Sequence, residues 1–447
     1  MHKQPPLSTA PLQFSFPVAS KATLANGTTV YLLPRSTERL ITISVGIHTG
    51  ALFDVVEGET TMTANMLSRG TMRLNPEAFA LEVERRGCSI SSHADRDSTM
   101  VTATGLADHT EALVGLLAEC LLQPAFDEAE LQRQLKRRLA DVHVNLTDPD
   151  WLASHAHLAV AFPNHGYSRP REGTPHSIAE ISRDTLVRVH QRFLAAPKDV
   201  IVAGSFDADA IVAQLDSALA AMPGGGATAP YPWAVPTMRA ACLAERHDAV
   251  QTVIRGGLPS VGYDHADYVA LSLCTAILGG YTLARLFMVL REQKGYTYGA
   301  YALSDVRPHA SSIVFQTSVG NAVTHDALAT LATEINGLAA QPITTRELDY
   351  TRQYMLGTFV RSTETPQQVA SMVWNQVRYA LPERYYETYV QRLQQLALED
   401  LHDVASRYFS TERWFLGLCG APDVVRPALT GLVDHVLTWD AESMSVA

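Results

Sequence analysis

The chain has 447 residues, a length that suggests two to four domains at roughly 100–200 residues each. Hydrophobic residues make up 47% and charged residues 18%, which excludes a disordered, collagenous or disulfide-scaffold protein. The 35 basic and 46 acidic side chains give a net charge of −11, which argues against nucleic-acid binding because phosphate groups require a basic face.

Neither the cysteines nor the apolar runs indicate a disulfide framework or a membrane span. The five cysteines are far apart and form no CxxC motif, so we expect mostly buried free thiols at Cys88, Cys120, Cys242, Cys274 and Cys419. No run reaches the roughly 18 apolar residues of a membrane span. The first 13 residues lack the apolar core of a secretory signal, which fits a cytoplasmic start or a mature exported chain.

The first half of the chain reads as strands, then helices, then a strand. Asn26-Gly27 predicts a turn before a strand, and alternation over Ile41–Ile47 predicts a strand with one buried face. Residues 200–204 predict a short buried strand that closes this half. An apolar helix face is predicted by the spacing of Leu113, Leu116, Leu117, Cys120 and Leu121.

A glycine- and proline-rich segment divides the chain into similar halves. We predict a first α+β repeat over residues 1–222, a linker over 223–236 and a second α+β repeat over 237–447. In each half an apolar helix precedes a proline-containing turn and a second long helix, and Thr344 with Glu347 predicts a capping box. The offset between the halves stays at 215 to 217 residues, from Glu130/Glu347 through Asp148/Thr365 to Leu186/Leu401. We therefore expect two similar domains, each an antiparallel-type sheet packed with helices.

Three segments resemble the pitrilysin and mitochondrial processing peptidase family of zinc peptidases. Residues 24–35, followed by 43–54, resemble the family's opening hairpin. Residues 170–207 resemble the end of the family's first domain, and residues 277–302 resemble its second-half signature. The resemblance covers nearly the whole chain, from about Phe14 to about Val436. It implies a fold with a zinc site in the first half and an arginine–tyrosine pair in the second.

The zinc site implied by the resemblance is degenerate. The family carries an inverted HxxEH motif, in which two histidines ligate zinc and the glutamate acts as general base, with a downstream glutamate as third ligand. At the matching positions this chain has Thr61, Ala64 and Asn65, and the downstream position holds Asp141. Since a hydroxyl and an amide do not replace imidazole as zinc ligands, we expect neither zinc nor another cofactor in this chain.

The arginine–tyrosine pair implied by the resemblance is present as Arg291 and Tyr298. We predict a helix over 283–294 and a strand over 296–302, which would let both side chains project the same way. In the family these groups serve amide hydrolysis, where donors near the carbonyl oxygen stabilise the developing negative charge. Away from this signature, an Arg and a Tyr at such spacing usually form a surface or packing contact.

Another candidate is the histidine cluster His155, His157 and His165. Two histidines at i and i+2 cannot share a helix face, so we expect solvated or capping histidines there and no metal site.

The resemblance implies a non-zinc subunit of a heterodimeric zinc metallopeptidase. Its partner would be a homologous HxxEH-bearing chain that holds the zinc, and its substrates would be peptides or unfolded polypeptides. The alternative is a non-catalytic scaffold or assembly subunit similar to the core proteins of the respiratory cytochrome complex. Between the two locations that the N-terminus leaves open, we expect the bacterial periplasm rather than the cytoplasm.

Overall fold

The computed structural model describes residues 12–35, 39–226 and 231–446. Over these ranges the chain forms one six-stranded and one seven-stranded sheet, each covered by helices. The predicted linker includes residues 227–230, which lie outside the described ranges, and its described part forms no helix or strand. The predicted N-terminal start likewise falls largely on residues 1–11, outside the described residues.

The first sheet and its helices come from the first half of the chain. The strands, paired in the order β1-β2-β6-β3-β5-β4, are β1 Ser20–Thr23, β2 Thr29–Pro34, β3 Leu40–Ile47, β4 Ser89–Ala94, β5 Thr99–Leu106 and β6 Lys198–Gly204. The helices are α1 Glu59–Leu67, α2 Pro76–Glu84, α3 Thr110–Leu122, α4 Glu128–Asn145, α5 Pro149–Ala161, α6 Pro175–Glu180, α7 Arg183–Ala195 and α8 Ala208–Ala218.

The second half repeats five strands of this plan and has a C-terminal strand pair in the place of the first strand. Its strands, paired in the order β13-β12-β7-β11-β8-β10-β9, are β7 Ala240–Glu245, β8 Gln251–Pro259, β9 Ala300–Val306, β10 Ser311–Gly320, β11 Phe415–Gly420, β12 His435–Asp440 and β13 Ser445–Val446. Its helices are α9 Tyr268–Gly279, α10 Arg285–Phe287, α11 Thr324–Ala340, α12 Thr345–Arg361, α13 Pro366–Arg378, α14 Tyr385–Gln395, α15 Leu398–Tyr408 and α16 Pro422–Ala428.

The internal repeat appears in equivalent helices of the two halves. Helices α3, α4, α5 and α7 correspond in order to α11, α12, α13 and α15. Asp148 and Thr365 are the N-caps of α5 and α13, and each precedes a proline in the first helical turn. The predicted capping box of Thr344 and Glu347 opens α12. The predicted α+β fold with two similar halves is confirmed.

Most strand pairs are antiparallel, but each sheet also contains parallel pairs. Strand β2 runs parallel to β6, and β7 runs parallel to both β11 and β12. The predicted strand over 200–204 is β6, which lies inside the first sheet between β2 and β3. The cysteines are free thiols, four of them buried and Cys88 half-buried, as expected.

Strand β3 is buried on both faces, whereas the alternation of its residues predicted one buried face. The second face is covered by α13, a helix from the other half of the chain, whose Trp374 indole lies against Gly46. A Cβ atom at Gly46 would overlap that ring. The sequence pattern missed this because the covering helix lies more than 300 residues further along the chain.

The reciprocal contact places α5, a helix of the first half, on the second sheet. It packs on β7, β8 and β11, and the backbone of His157 lies so close to Gly417 that a Cβ atom there would overlap it. His155 and His157 are therefore buried, contrary to the solvated or capping role expected for them. His165 does cap a short helical turn, by accepting a hydrogen bond from the Tyr167 amide.

We predict that His157 makes the fold sensitive to acid. Burial, with a smaller contribution from the Arg307 guanidinium, lowers the pKa of His157 to about 3. The unfolded chain binds this proton below about pH 6.5, so stability falls as the pH drops from there toward the folded pKa. The loss is about 1.4 kcal/mol per pH unit, or roughly 2 kcal/mol at pH 5.

Urea unfolding at pH 8 and pH 5 measures this effect. His157→Leu should lose less stability than the wild type between the two pH values, by about 2 kcal/mol. The control His402→Leu alters an exposed histidine of α15 and should keep the wild-type difference. An unchanged pH dependence in His157→Leu would contradict the assignment.

Candidate functional site

Helix α1 carries the positions where the family has its metal-binding motif. The Thr61 hydroxyl donates a hydrogen bond to the backbone carbonyl of Arg171 at 2.6 Å. Ala64 is fully buried, and its carbonyl accepts a hydrogen bond from the Ser92 hydroxyl of β4. Asn65 is half-buried and lines a cavity. The side chains on α1 are thus engaged in packing and backbone contacts, with Asn65 alone of the three facing open space.

The N-terminal end of α1 is fixed by a buried ion-pair network. The Glu59 carboxylate lies 2.5 Å from the Arg188 guanidinium, and Arg192 lies 3.2 Å from Asp54, both arginines belonging to α7. Burial raises the pKa of Asp54 to about 6, although hydrogen bonds from Thr60 and Arg192 oppose the change. A carboxylate in the first turn also interacts favourably with the helix dipole. These contacts hold the N-terminal end of α1 against α7.

A small polar cavity of about 190 Å³ separates α1 from α4. Asn65 and Asp141 both line it, so the structure brings together two of the four degenerate positions. The Thr61 side chain is directed to Arg171 instead, and Ala64 lies in the core. The other lining residues are Met62, Arg69, Gln134, Arg137 and Arg138.

These residues do not fit a zinc ion. The cavity offers one carboxylate and two amides, and no imidazole or thiolate. Three arginines on its walls would repel a divalent cation. Within residues 12–35, 39–226 and 231–446, no three His, Cys, Asp or Glu side chains form a group suited to a metal ion.

The segment that carries Arg291 and Tyr298 differs from the predicted helix and strand. Helix α10 has three residues and continues as a π-helical turn over Met288–Gln293, which contains Arg291. The next strand begins at Ala300 rather than at residue 296, so Tyr298 lies in the connecting loop. A π-helical turn is rare and often occurs at functional sites, and hydrophobic periodicity gives no sign of it.

The two side chains are both accessible to solvent. The Arg291 guanidinium lies 4.7 Å from the centre of the Phe287 ring and 3.6 Å from the Glu292 carboxylate. Tyr298 is 95% exposed and lines an open cleft of about 590 Å³ on the second sheet. This cleft shares no lining residue with the cavity between α1 and α4.

Sequence reasoning missed the arginines of the first cavity. Gln134, Arg137, Arg138 and Asp141 follow a spacing of i, i+3, i+4 and i+7, which places them on one face of α4. That spacing was available in the sequence. The spacing indicates a cavity wall only when α4 is known to face α1, and that packing is seen in the structure and not in the sequence.

No helix in the described ranges combines the length and the hydropathy needed to cross a membrane.

Two α+β halves, a helix with Thr61, Ala64 and Asn65 at the metal-motif positions and an accessible arginine–tyrosine segment define a peptidase-like chain. The family model described as "Insulinase (Peptidase family M16)" matches residues 30–174, and the one described as "Peptidase M16 inactive domain" matches residues 180–355. Together these matches cover most of the chain, which belongs to the M16 peptidase family. The resemblance found in the sequence is thereby confirmed.

Individual relatives agree with this assignment. The chain is 21% identical over 398 residues to a Bacillus subtilis protein described as "Uncharacterized zinc protease YmxG", covering 89% of this chain and 97% of that protein. It is 24% identical to the Helicobacter pylori "Non-peptidase homolog YmxG", covering 77% of this chain and 80% of the relative. A crystal structure of a peptidase M16 inactive domain from Pseudomonas fluorescens has a TM-score of 0.83 at 22% identity, covering 90% of this chain and 98% of that one.

We predict that the purified chain retains no stoichiometric zinc after dialysis. A double variant, Thr61→His with Asn65→His, supplies two imidazoles at i and i+4, with Asp141 as a third ligand. It should bind zinc only weakly because Arg69, Arg137 and Arg138 remain. Adding Arg138→Gln should tighten binding, whereas adding Lys136→Gln, a charge on α4 outside the cavity, should do so less.

Metal analysis of the wild type and zinc titration of the variants test this prediction. About one zinc per wild-type chain would show that the cavity is a metal site after all.

Proposed function

We propose that this chain is the non-zinc subunit of a heterodimeric zinc metallopeptidase. It pairs with a homologous subunit that carries HxxEH, and it contributes Arg291 and Tyr298 to the partner's active site. The observation that carries the proposal is the near-complete exposure of Tyr298 beside an open cleft, outside the chain's own degenerate site. A donor presented in this way is available to a group supplied by another chain.

The surface around Tyr298 has the composition of a binding surface. Leu283 is 59% exposed and Leu303 is 55% exposed, and Tyr301 is also exposed. Exposed apolar groups clustered near polar ones are typical of protein or peptide interaction sites. These residues extend from the loop before α10 to β9, so the same segment that holds Arg291 and Tyr298 also offers apolar contact area.

Strand β9 offers a route for binding an extended peptide. It is the edge strand of the second sheet and pairs with β10 alone in the described part of the chain. An edge strand presents unpaired backbone groups, which can bind an added strand with little dependence on side-chain sequence. This supports peptides or unfolded segments as substrates.

The chemistry assigned to this chain is stabilisation of the transition state. In the partner, the bound zinc would supply the activated water for amide hydrolysis. As negative charge develops on the substrate carbonyl oxygen, the Tyr298 hydroxyl and the Arg291 guanidinium donate hydrogen bonds to the carbonyl region. Such donors act wherever they reach the oxygen, so they can belong to a different chain from the one that holds the metal.

The relatives support the absence of independent activity. One matching family model is described as an inactive domain, and the H. pylori relative is described as a non-peptidase homolog. These descriptions also suit a non-catalytic scaffold, which is the alternative function. A quenched fluorescent peptide assay of the mixed complex, run with and without chelator, distinguishes the heterodimeric peptidase from the scaffold. The heterodimer proposal expects chelator-sensitive cleavage by the complex and none by this chain alone.

We predict a stable one-to-one complex with the HxxEH-bearing homologue. The reason is the apolar surface near Tyr298, which would be covered in the complex. Light scattering of the co-expressed pair at micromolar concentration measures the mass. Two separate species under these conditions would contradict the heterodimer.

We further predict that Arg291 and Tyr298 affect catalysis but not assembly. Tyr298→Phe removes only a hydroxyl and should lower kcat by about 10²–10³, roughly 2.7–4 kcal/mol, with little change in KM. Arg291→Ala also removes a charge that contacts peptide, so both kcat and KM should worsen. Tyr350→Phe, which removes the hydroxyl of a partly exposed tyrosine on α12, is the matched control and should be silent.

Steady-state kinetics of the mixed complex measure these effects once association of each variant has been checked. Wild-type kcat in correctly assembled Tyr298→Phe and Arg291→Ala complexes would favour the scaffold function.

A further inference from the structure

Three arginines, Arg69, Arg137 and Arg138, line the cavity between α1 and α4. Arg69 and Arg137 are exposed, and Arg138 is half-buried. In the described part of the chain, none of the three guanidinium groups makes a hydrogen bond to a side chain or carbonyl, or an ion pair within 4.0 Å. Asp141 lies on the same face of α4 and forms no ion pair within 4.0 Å with them, although its negative charge acts on Arg138.

The unpaired charges are a consequence of how two helix faces meet. Met62 and Asn65 lie three residues apart on one face of α1, Arg69 follows two residues after the end of that helix, and the lining residues of α4 lie on one face of that helix. Both faces therefore point into one space. With three arginines and one aspartate, its walls carry a net charge of about +2, in a chain whose overall charge is −11.

A half-buried guanidinium without an acceptor is unfavourable. Burial lowers the pKa of Arg138 from its ordinary value because the charged form loses hydration, and the Glu172 and Asp141 carboxylates offset this only in part. An oxygen acceptor in the cavity would replace that hydration with charge-assisted hydrogen bonds. The Asn65 side chain lines the same space and can donate through its amide nitrogen.

We propose that this cavity binds a single oxyanion, a carboxylate or phosphate group. Its volume of about 190 Å³ is below the roughly 300–1,000 Å³ typical of pockets for larger small-molecule ligands, so it suits one charged group. The position that holds a cation in the zinc peptidases would thus hold an anion here. This site belongs to the chain alone and does not depend on the proposed heterodimer.

The anion can come from the C-terminus of a peptide or from free phosphate. Both present oxygen acceptors to a guanidinium. Calorimetric titration of the full-length chain at low ionic strength separates them with three probes: inorganic phosphate, an acetylated tripeptide with a free C-terminal carboxylate, and the same tripeptide as its amide.

The expected result is binding of phosphate or of the free acid with a Kd of about 1 mM or tighter, and no binding of the amide. Binding of the acid alone identifies a peptide terminus as the ligand, and binding of phosphate alone identifies a free anion. Absence of binding by both would overturn the proposal.

Variants assign the binding to this cavity. Arg138→Gln should weaken binding by about tenfold or more, and the exposed pair Arg69→Gln with Arg137→Gln should weaken it at least as much without disturbing the core. Lys136→Gln removes one charge from α4 outside the cavity and should change binding far less. Equal losses in Lys136→Gln and Arg138→Gln would attribute the effect to general charge and contradict the site.

The variant Asp141→Asn tests the site by the direction in which its affinity for the anion changes. Removing the carboxylate should strengthen anion binding, since it eliminates repulsion inside the cavity. Weaker anion binding in this variant would contradict the proposal. Circular dichroism of each variant checks folding, and the exposed double variant keeps the test valid if Arg138→Gln does not fold.

Discussion

The exchange of α5 and α13 between the halves is the contact on which the rest of the structure depends. Each helix packs on the sheet formed by the other half, so two of the apolar cores contain residues from both halves. In one, Leu152 packs in a cluster with Phe415; in the other, Trp374 packs with Ile201. Without the other half, each sheet would lack the helix that covers its second face. The apolar residues of that face would then be exposed to water, which is unfavourable.

Polar contacts reinforce this exchange at the junction of the halves. Arg378, at the end of α13, binds Asp95 at 2.8 Å and Asp97 at 3.0 Å, and the Tyr167 hydroxyl donates to Asp97. The three charged side chains are half-buried, so removing one of them would leave a partly desolvated charge without its partner, which is unfavourable. The halves are therefore joined by shared cores and half-buried ion pairs as well as by the linker. A rigid-body motion of the two halves relative to each other would have to break these contacts.

The sequence predicted the repeated α+β plan because the signals involved are local. The capping box at Thr344 and the proline after Thr365 act within one helical turn, and the structure has both. The double burial of β3, the burial of His157 and the π-helical turn around Arg291 depend on contacts between distant segments or on backbone detail. Residue patterns do not encode which distant helix covers a strand. The candidate site divides in the same way: substitutions at the metal motif are visible in the sequence, whereas the meeting of Asn65 with Asp141 requires the packing of α1 on α4.

The position of α1 is set by contacts other than those at the metal-motif positions. In small metal-dependent domains the ion supplies part of the folding free energy, so its loss unfolds the chain. Here α1 is held from its other side, by Glu59 with Arg188 and by a core that includes Met66 and Leu67. The walls of the cavity are therefore not needed to position the helix. Charge changes at the three arginines that line the cavity are therefore expected to leave the position of α1 unaltered.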